Sequence, residues 1–201
     1  MKPLALLAAA AAFVVAAPAF AADTDTITIG FTDSQTGPLN VDSKGQTRGY
    51  DLWRDEVNAK GGIMVKEFGK RIQVEVTQYD DTSSAETMLR LEETQMSQDK
   101  VDFVLPPWGT GFNLAVAPLY DRFGSTQLAV TGVTDKAPDF AARWKKSFWM
   151  LGGGHDYANA LADVLKAARD AGQINDKVAV ISVADGFGID LIKAARPALK
   201  E

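Results

Sequence analysis

The chain has 201 residues, with 21 Lys and Arg against 26 Asp and Glu, one His and no Cys. Its 46% hydrophobic and 23% charged shares are those of a globular chain and set aside disorder, collagen and coiled coil. A net charge of −5 argues against a nucleic-acid partner, which needs concentrated Lys and Arg. Without Cys there is no disulfide, thiolate nucleophile or Cys-based zinc or iron–sulfur site, and one His excludes a multi-histidine centre, so no metal and no cofactor are expected.

In chain order, the first segment reads as an address label. Met1-Lys2 supplies a positive charge, Leu4 to Ala17 is unbroken apolar, and Ala19-Phe20-Ala21 after Pro18 gives the small residues that a signal peptidase reads. Residues 1–21 are therefore expected to be a cleaved secretory signal. The run is shorter than the ~20 residues that span a bilayer. Loss of Lys2 takes the formal charge from −5 to −6. No later stretch reads as a membrane span, so the expected location is outside the cytoplasm, in a bacterial periplasm.

Ile27, Ile29 and Phe31 alternate with Thr28 and Gly30 as in a strand, and Ile72, Val74 and Val76 repeat the pattern. Tyr50, Trp53 and Val57 predict a helix between them, stopped at Gly61-Gly62. Ser83 and Glu86 have capping-box spacing and predict the start of a second helix. Val101 to Leu105 and Gln127 to Val130 read as short buried strands around a helix over 111–122. The order β-α-β-α-β-α-β predicts an α/β fold with a doubly wound parallel sheet. Residues 137–146 look irregular and basic, and Ser147 to Leu151 extended. Beyond the triplet Gly152-Gly153-Gly154, a helix with Leu161, Val164, Leu165 and Ala168 on one face precedes the apolar strand Val178 to Val183 and a helix over 189–199. One strand between two helices leaves apolar faces uncovered, so residues 154–201 read as the start of a second, similar lobe after a first lobe over 22–153.

Doubly wound sheets bind ligands outside the carboxyl ends of their strands. There, Pro106-Pro107-Trp108-Gly109-Thr110-Gly111 offers close backbone approach, a hydroxyl and a helix N-terminus to a small carboxylate; it also reads as a tight turn with Trp108 packed in the core. Thr131-Gly132-Val133-Thr134 is a second hydroxyl-and-glycine turn, or an ordinary capped turn. Asp80-Asp81 reads as a carboxylate pair or as helix capping, and His155-Asp156 as a dyad or as a helix start. Gly109-x-Gly111 and Gly186-x-Gly188 each meet Leu where a dinucleotide fingerprint needs a third small residue, and no phosphate-loop or nucleophile-elbow motif occurs.

Six short motifs occur in order: Ile27-Thr28-Ile29-Gly30 leading to Thr36-Gly37-Pro38; Gly49; Asn58-Ala59-Lys60-Gly61-Gly62-Ile63; Tyr79-Asp80-Asp81; Ala137-Pro138-Asp139-Phe140; and Asp185-Gly186-Phe187-Gly188. In these the chain resembles, from about Ile27 to Glu201, the periplasmic solute-binding receptors of ATP-driven importers, in the branched-chain amino acid (Leu/Ile/Val-binding) family, and looks like the amino-terminal half of such a receptor. The resemblance implies a type I periplasmic-binding fold that traps ligand between two lobes by hinge closure. It also implies a non-enzymatic, monomeric receptor that captures an amino acid or similar small carboxylate and delivers it to an inner-membrane ABC permease. The alternative is a sensory module of the same fold serving a membrane kinase or chemoreceptor. Carried over, the site comprises Trp108, Gly109, Thr110, Thr131, Gly132 and Thr134 from the first lobe and Phe187 from the second. The turn at Pro106 to Phe112 departs from a usually small, Ser-rich one, and Trp108 and Phe112 make an aromatic or planar ligand a rival to a branched aliphatic one.

Overall fold

The computed structural model describes residues 26–200, so the signal segment and its cleavage after Ala21 lie outside the described residues. The first strand, β1 (Thr26–Asp33), is buried from Ile29 onward, as befits a strand flanked on both edges. Helix α1 (Asn40–Ala59) follows, then β2 (Ile63–Val65), a 3₁₀ turn (Lys66–Phe68) and β3 (Lys70–Asp80). Next come α2 (Ala85–Thr94), a π-turn (Gln95–Asp99), β4 (Phe103–Val104), α3 (Thr110–Phe123) and β5 (Gln127–Ala129). The chain continues through α4 (Ala137–Arg143), β6 (Ser147–Trp149), α5 (Gly154–Asp170) and α6 (Gly186–Ala198).

The main sheet has the order β2-β3-β1-β4. β1 pairs in parallel with β3 from Thr26↔Gln73 to Asp33↔Asp80 and with β4 at Ile29↔Phe103 and Gly30↔Val104. β5 and β6 form a separate parallel pair. Both β1 and β3 end at the turns 33–36 and 80–83, and β4 ends at the Pro106 turn, so a parallel arrangement collects the chemically interesting loops at one end of the sheet. α2 and α3 close over it, burying Met88, Val104, Val116, Leu119 and Tyr120 as one cluster. α1 is pinned by Tyr50, edge-on to Phe31 at 5.1 Å, a pair contributing about 0.5–1.5 kcal/mol beyond its buried area. Asn58 adds a second pin. Beyond Ile72, where β2 stops pairing, the Asn58 side chain takes the place of a neighbouring strand, donating to the Val74 carbonyl and accepting from its N–H, both at 2.8 Å.

Several local expectations are corrected. The cap of α2 is Ser84, whose hydroxyl accepts from the Thr87 N–H; Ser83 instead accepts from the Leu39 N–H and donates to the Thr36 carbonyl, joining two loops. β2, which forms an antiparallel hairpin with β3, was not foreseen, because its three residues are too few for a period. Residues 137–143 are helical rather than irregular, with Pro in the first turn, where its missing N–H costs nothing. Phe103 is 61% exposed, so β4 is not buried on both faces. The apolar run 178–183 forms no strand, and Ile181 is 99% exposed. A strand needs a hydrogen-bonding neighbour, and among the described residues none reaches it. Leu161 and Val164 on α5 are exposed for the same want of a covering layer.

Candidate ligand-binding site

The turn after β4 is folded by groups that sequence reasoning passed over. Gly109, the residue before α3, has φ +90°, a left-handed conformation that a side chain would strain. Asn113, fully buried on the first turn of α3, donates to the carbonyls of Pro107 and Gly109, each at 2.9 Å. Gln46 from α1 donates to the Pro106 carbonyl at 2.9 Å and accepts from the Thr131 hydroxyl at 3.0 Å, while Thr131 accepts from the Gly109 N–H at 2.9 Å. Thr110, 1% exposed, accepts from the Val133 N–H at 3.0 Å and donates to the Val133 carbonyl at 3.3 Å. The two hydroxyl turns are therefore stitched into one platform. The only local signal for Gln46 and Asn113 was their polar type among apolar helix positions, too weak to find them.

Of the predicted residues, Trp108, Gly109, Thr110, Thr131, Gly132 and Thr134 all lie on this platform. Gly132 is there because Trp149 is. A Cβ at Gly132 would stand 2.6 Å from the indole, so only glycine lets β6 pass beneath the turn. Thr134 is fully buried and donates to the Asp190 carboxylate of α6 at 2.5 Å. Phe187, 38% exposed, begins α6, which reaches the platform through its neighbour: a Cβ at Gly186 would meet Gly111 Cα and N at 3.1 and 3.2 Å. Phe112, considered for stacking on a planar ligand, packs against the apolar cluster instead. A cleft of about 430 Å³ opens beside the platform between Thr134, Asp135, Pro138, Phe148, Trp149 and Gly153. A second, about 390 Å³, lies between α5, α6 and residues 174–178 and contains none of the predicted site.

The carboxylate candidates are architectural. Burial pushes the Asp80 carboxyl up, but hydrogen bonds from Thr36, Thr82 and Gln35 outweigh it and hold it below the usual range. Asp81 is raised, chiefly by burial, although Ser34 and Ser83 donate to one of its oxygens. Together they lash 33–36 to 80–83. His155 and Asp156 form no dyad: the His155 Nδ1 lies 2.6 Å from Asp135, while Asp156 accepts from the Gly153 N–H at 3.1 Å and caps α5. Asp135 is lowered; burial pushes it up, but the His155 side chain and backbone outweigh that. Among the described residues, no group of three or more His, Cys, Asp or Glu is arranged to hold a metal, and no helix is long and apolar enough to cross a membrane.

A mostly parallel sheet with helices on its faces and a polar platform at its carboxyl end defines an α/β protein of the kind whose ligand sites lie at that end of the sheet. Residues 26–201 match the model of the periplasmic binding protein family, and the chain belongs to that family. The structure is similar to the branched-chain amino acid transporter substrate-binding protein LivJ from Streptococcus pneumoniae, solved with isoleucine, at TM-score 0.73 and 21% identity. That match covers 86% of this chain and 46% of the other. A solute-binding protein of an ABC transporter from Rhodopseudomonas palustris, solved with 3,4-dihydroxybenzoic acid, matches at TM-score 0.69 and 20% identity over 88% of this chain and 44% of its own. The leucine-binding protein LivK from Thermotoga maritima matches at 0.69 and 15%, over 87% and 45%. The chain thus spans less than half the length of these proteins.

Proposed function

We propose that the protein is a non-enzymatic, periplasmic receptor that captures an amino acid or similar small carboxylate and passes it to an inner-membrane ABC permease. The observation that carries this reading is the apposition of three backbone turns: Pro106 to Gly111 and Thr131 to Thr134, joined through Thr110 and Gln46, with the Gly186 end of α6 resting on Gly111. In this reading residues 22–153 form one lobe, 154–201 begin a second, and Trp108, Gly109, Thr110, Thr131, Gly132, Thr134 and Phe187 surround the ligand. The α3 N-terminus, which favours anions, would face a carboxylate once α6 swings away from Gly111. Among the described residues, His155 pairs with Asp135 and forms no dyad with Asp156, which fits binding rather than turnover. The solutes bound by the similar proteins, isoleucine and a dihydroxybenzoate, make both aliphatic amino acids and aromatic acids suitable probes.

The test is titration calorimetry of the protein, in the polypeptide that carries both lobes, with isoleucine, leucine and 4-hydroxybenzoate. Saturable one-site binding of one of them supports the reading, and a change in Trp fluorescence that is lost in Trp108→Phe would place it near Trp108. No heat with any small carboxylate, or steady chemical conversion of a probe, would overturn it.

A further inference from the structure

The hydroxyl of Thr134, which the receptor reading places beside the ligand next to Thr110, is already engaged by a carboxylate from the chain itself. Asp190, 8% exposed on α6, accepts from Thr134 at 2.5 Å and has Lys136 Nζ 3.8 Å from its other oxygen. This pair spans 56 residues and joins the turn after β5 to α6, which packs mainly against α5. Gly186 touches Gly111, and the Asp190 carbonyl and Ala194 lie against Gly154; the run 178–183 leading into α6 is unpaired and exposed.

We propose that Asp190 is a specificity-determining residue of the binding site, a built-in competitor that must release Thr134 before a ligand carboxylate can occupy it. The proposal rests on the receptor reading and adds to it a selection step. A ligand carboxylate offers Thr134 and Lys136 the same chemistry that Asp190 offers, so binding becomes an exchange of one carboxylate for another, coupled to movement of α6. A neutral ligand gains less from that exchange, since it offers Lys136 no charge. A hydrogen bond to a charged group is worth about ten- to a hundredfold in an equilibrium constant, which sets the scale of the competition. Lys136 stays with the Thr131–Asp135 turn when Asp190 leaves, since it belongs to the same stretch of chain, and then faces the incoming anion.

The test compares wild type, Asp190→Ala and Asp190→Asn by titration with isoleucine, 4-hydroxybenzoate and the neutral 4-hydroxybenzamide, and by amide hydrogen exchange without ligand. Removing the competitor should tighten binding of the carboxylate probes at least about tenfold in Asp190→Ala, with an intermediate gain in Asp190→Asn, whose amide still accepts from Thr134 but carries no charge. Any binding of the benzamide, whose carbonyl accepts from Thr134 but offers Lys136 no charge, should gain less than that of the carboxylates. In the ligand-free proteins, residues 186–198 should lose protection in Asp190→Ala while β3 keeps its own, and Asp190→Asn should recover part of the loss. Equal or weaker carboxylate binding in a folded Asp190→Ala protein, or unchanged exchange in α6, overturns the competitor role while wild-type binding leaves the receptor reading standing. If no protein binds any probe, the receptor reading falls and the competitor role with it.

Discussion

Replacing Thr110 with Val tests whether its hydroxyl holds the platform together. The hydroxyl is 1% exposed and makes two hydrogen bonds, both to Val133. Val keeps the shape but leaves the Val133 N–H buried without a partner, which costs about 1–3 kcal/mol. With a urea dependence of about 2 kcal/mol per molar for a chain of this size, the unfolding midpoint should fall by about 0.5–1.5 M. Thr110→Ser is the control, because it keeps the hydroxyl and loses only a methyl group, worth about 0.8 kcal/mol. Amide exchange separates the two variants further: the Val133 N–H should exchange faster in Thr110→Val and remain protected in Thr110→Ser. A Thr110→Val protein with its midpoint within about 0.2 M of wild type and a protected Val133 amide would refute the stitching role. The hydroxyl would then be free for a ligand in the unliganded protein.

Three further outcomes are expected. Gly132→Ala should destabilise by about 1–3 kcal/mol, because the new Cβ must displace the Trp149 ring 2.6 Å away; a thermal scan and the near-ultraviolet signal of the indole will register it. Asn58→Leu should cost about 1–3 kcal/mol by stripping Val74 of both backbone partners, and the Val74 amide should lose protection while Phe31 in the sheet centre keeps its own. Glu92 is fully buried, and burial holds its carboxyl well above the usual range even though Thr32 and Tyr120 lie against it. The folded state favours its protonated form, so its contribution is complete below the unfolded value and is lost as pH rises through the folded one. Glu92→Gln, permanently neutral, should therefore gain on wild type in urea midpoint between pH 5 and pH 8; a gap that stays constant over that range would contradict the assignment.

The fold was legible where the chain repeats a period and illegible where contact decides. Ile27, Ile29 and Phe31 announced β1, and Tyr50, Trp53 and Val57 announced α1, although Trp53 is exposed while Tyr50 and Val57 are partly buried. Val178 to Val183 had the strongest strand composition in the chain and forms none, because strand structure belongs to pairs and its partners are missing from the described residues. Ser83 and Ser84 are equivalent as sequence. Only the proximity of Thr36 and Leu39, 47 and 44 residues away, frees Ser83 from capping and leaves that task to Ser84.

The site shows the same division at the level of chemistry. Strand ends, glycines and hydroxyls identified the two turns, since those residue types are needed wherever backbone must approach closely or a polar tip must be held at the end of a parallel strand. What their hydroxyls do is set by distant residues: Val133 takes Thr110, Gln46 takes Thr131, and Asp190 takes Thr134. A buried hydroxyl seldom waits unpaired, because leaving it so costs more than bonding it to whatever is near. A ligand entering this platform must therefore replace existing bonds rather than fill vacant ones. Thr110 and Thr131 are tied to neighbouring turns and Gln46 on the same platform, whereas Thr134 is tied across the chain to α6, which packs mainly on α5. Thr134 is the hydroxyl whose partner lies outside the platform, which makes α6 the element whose movement would accompany an exchange of that bond.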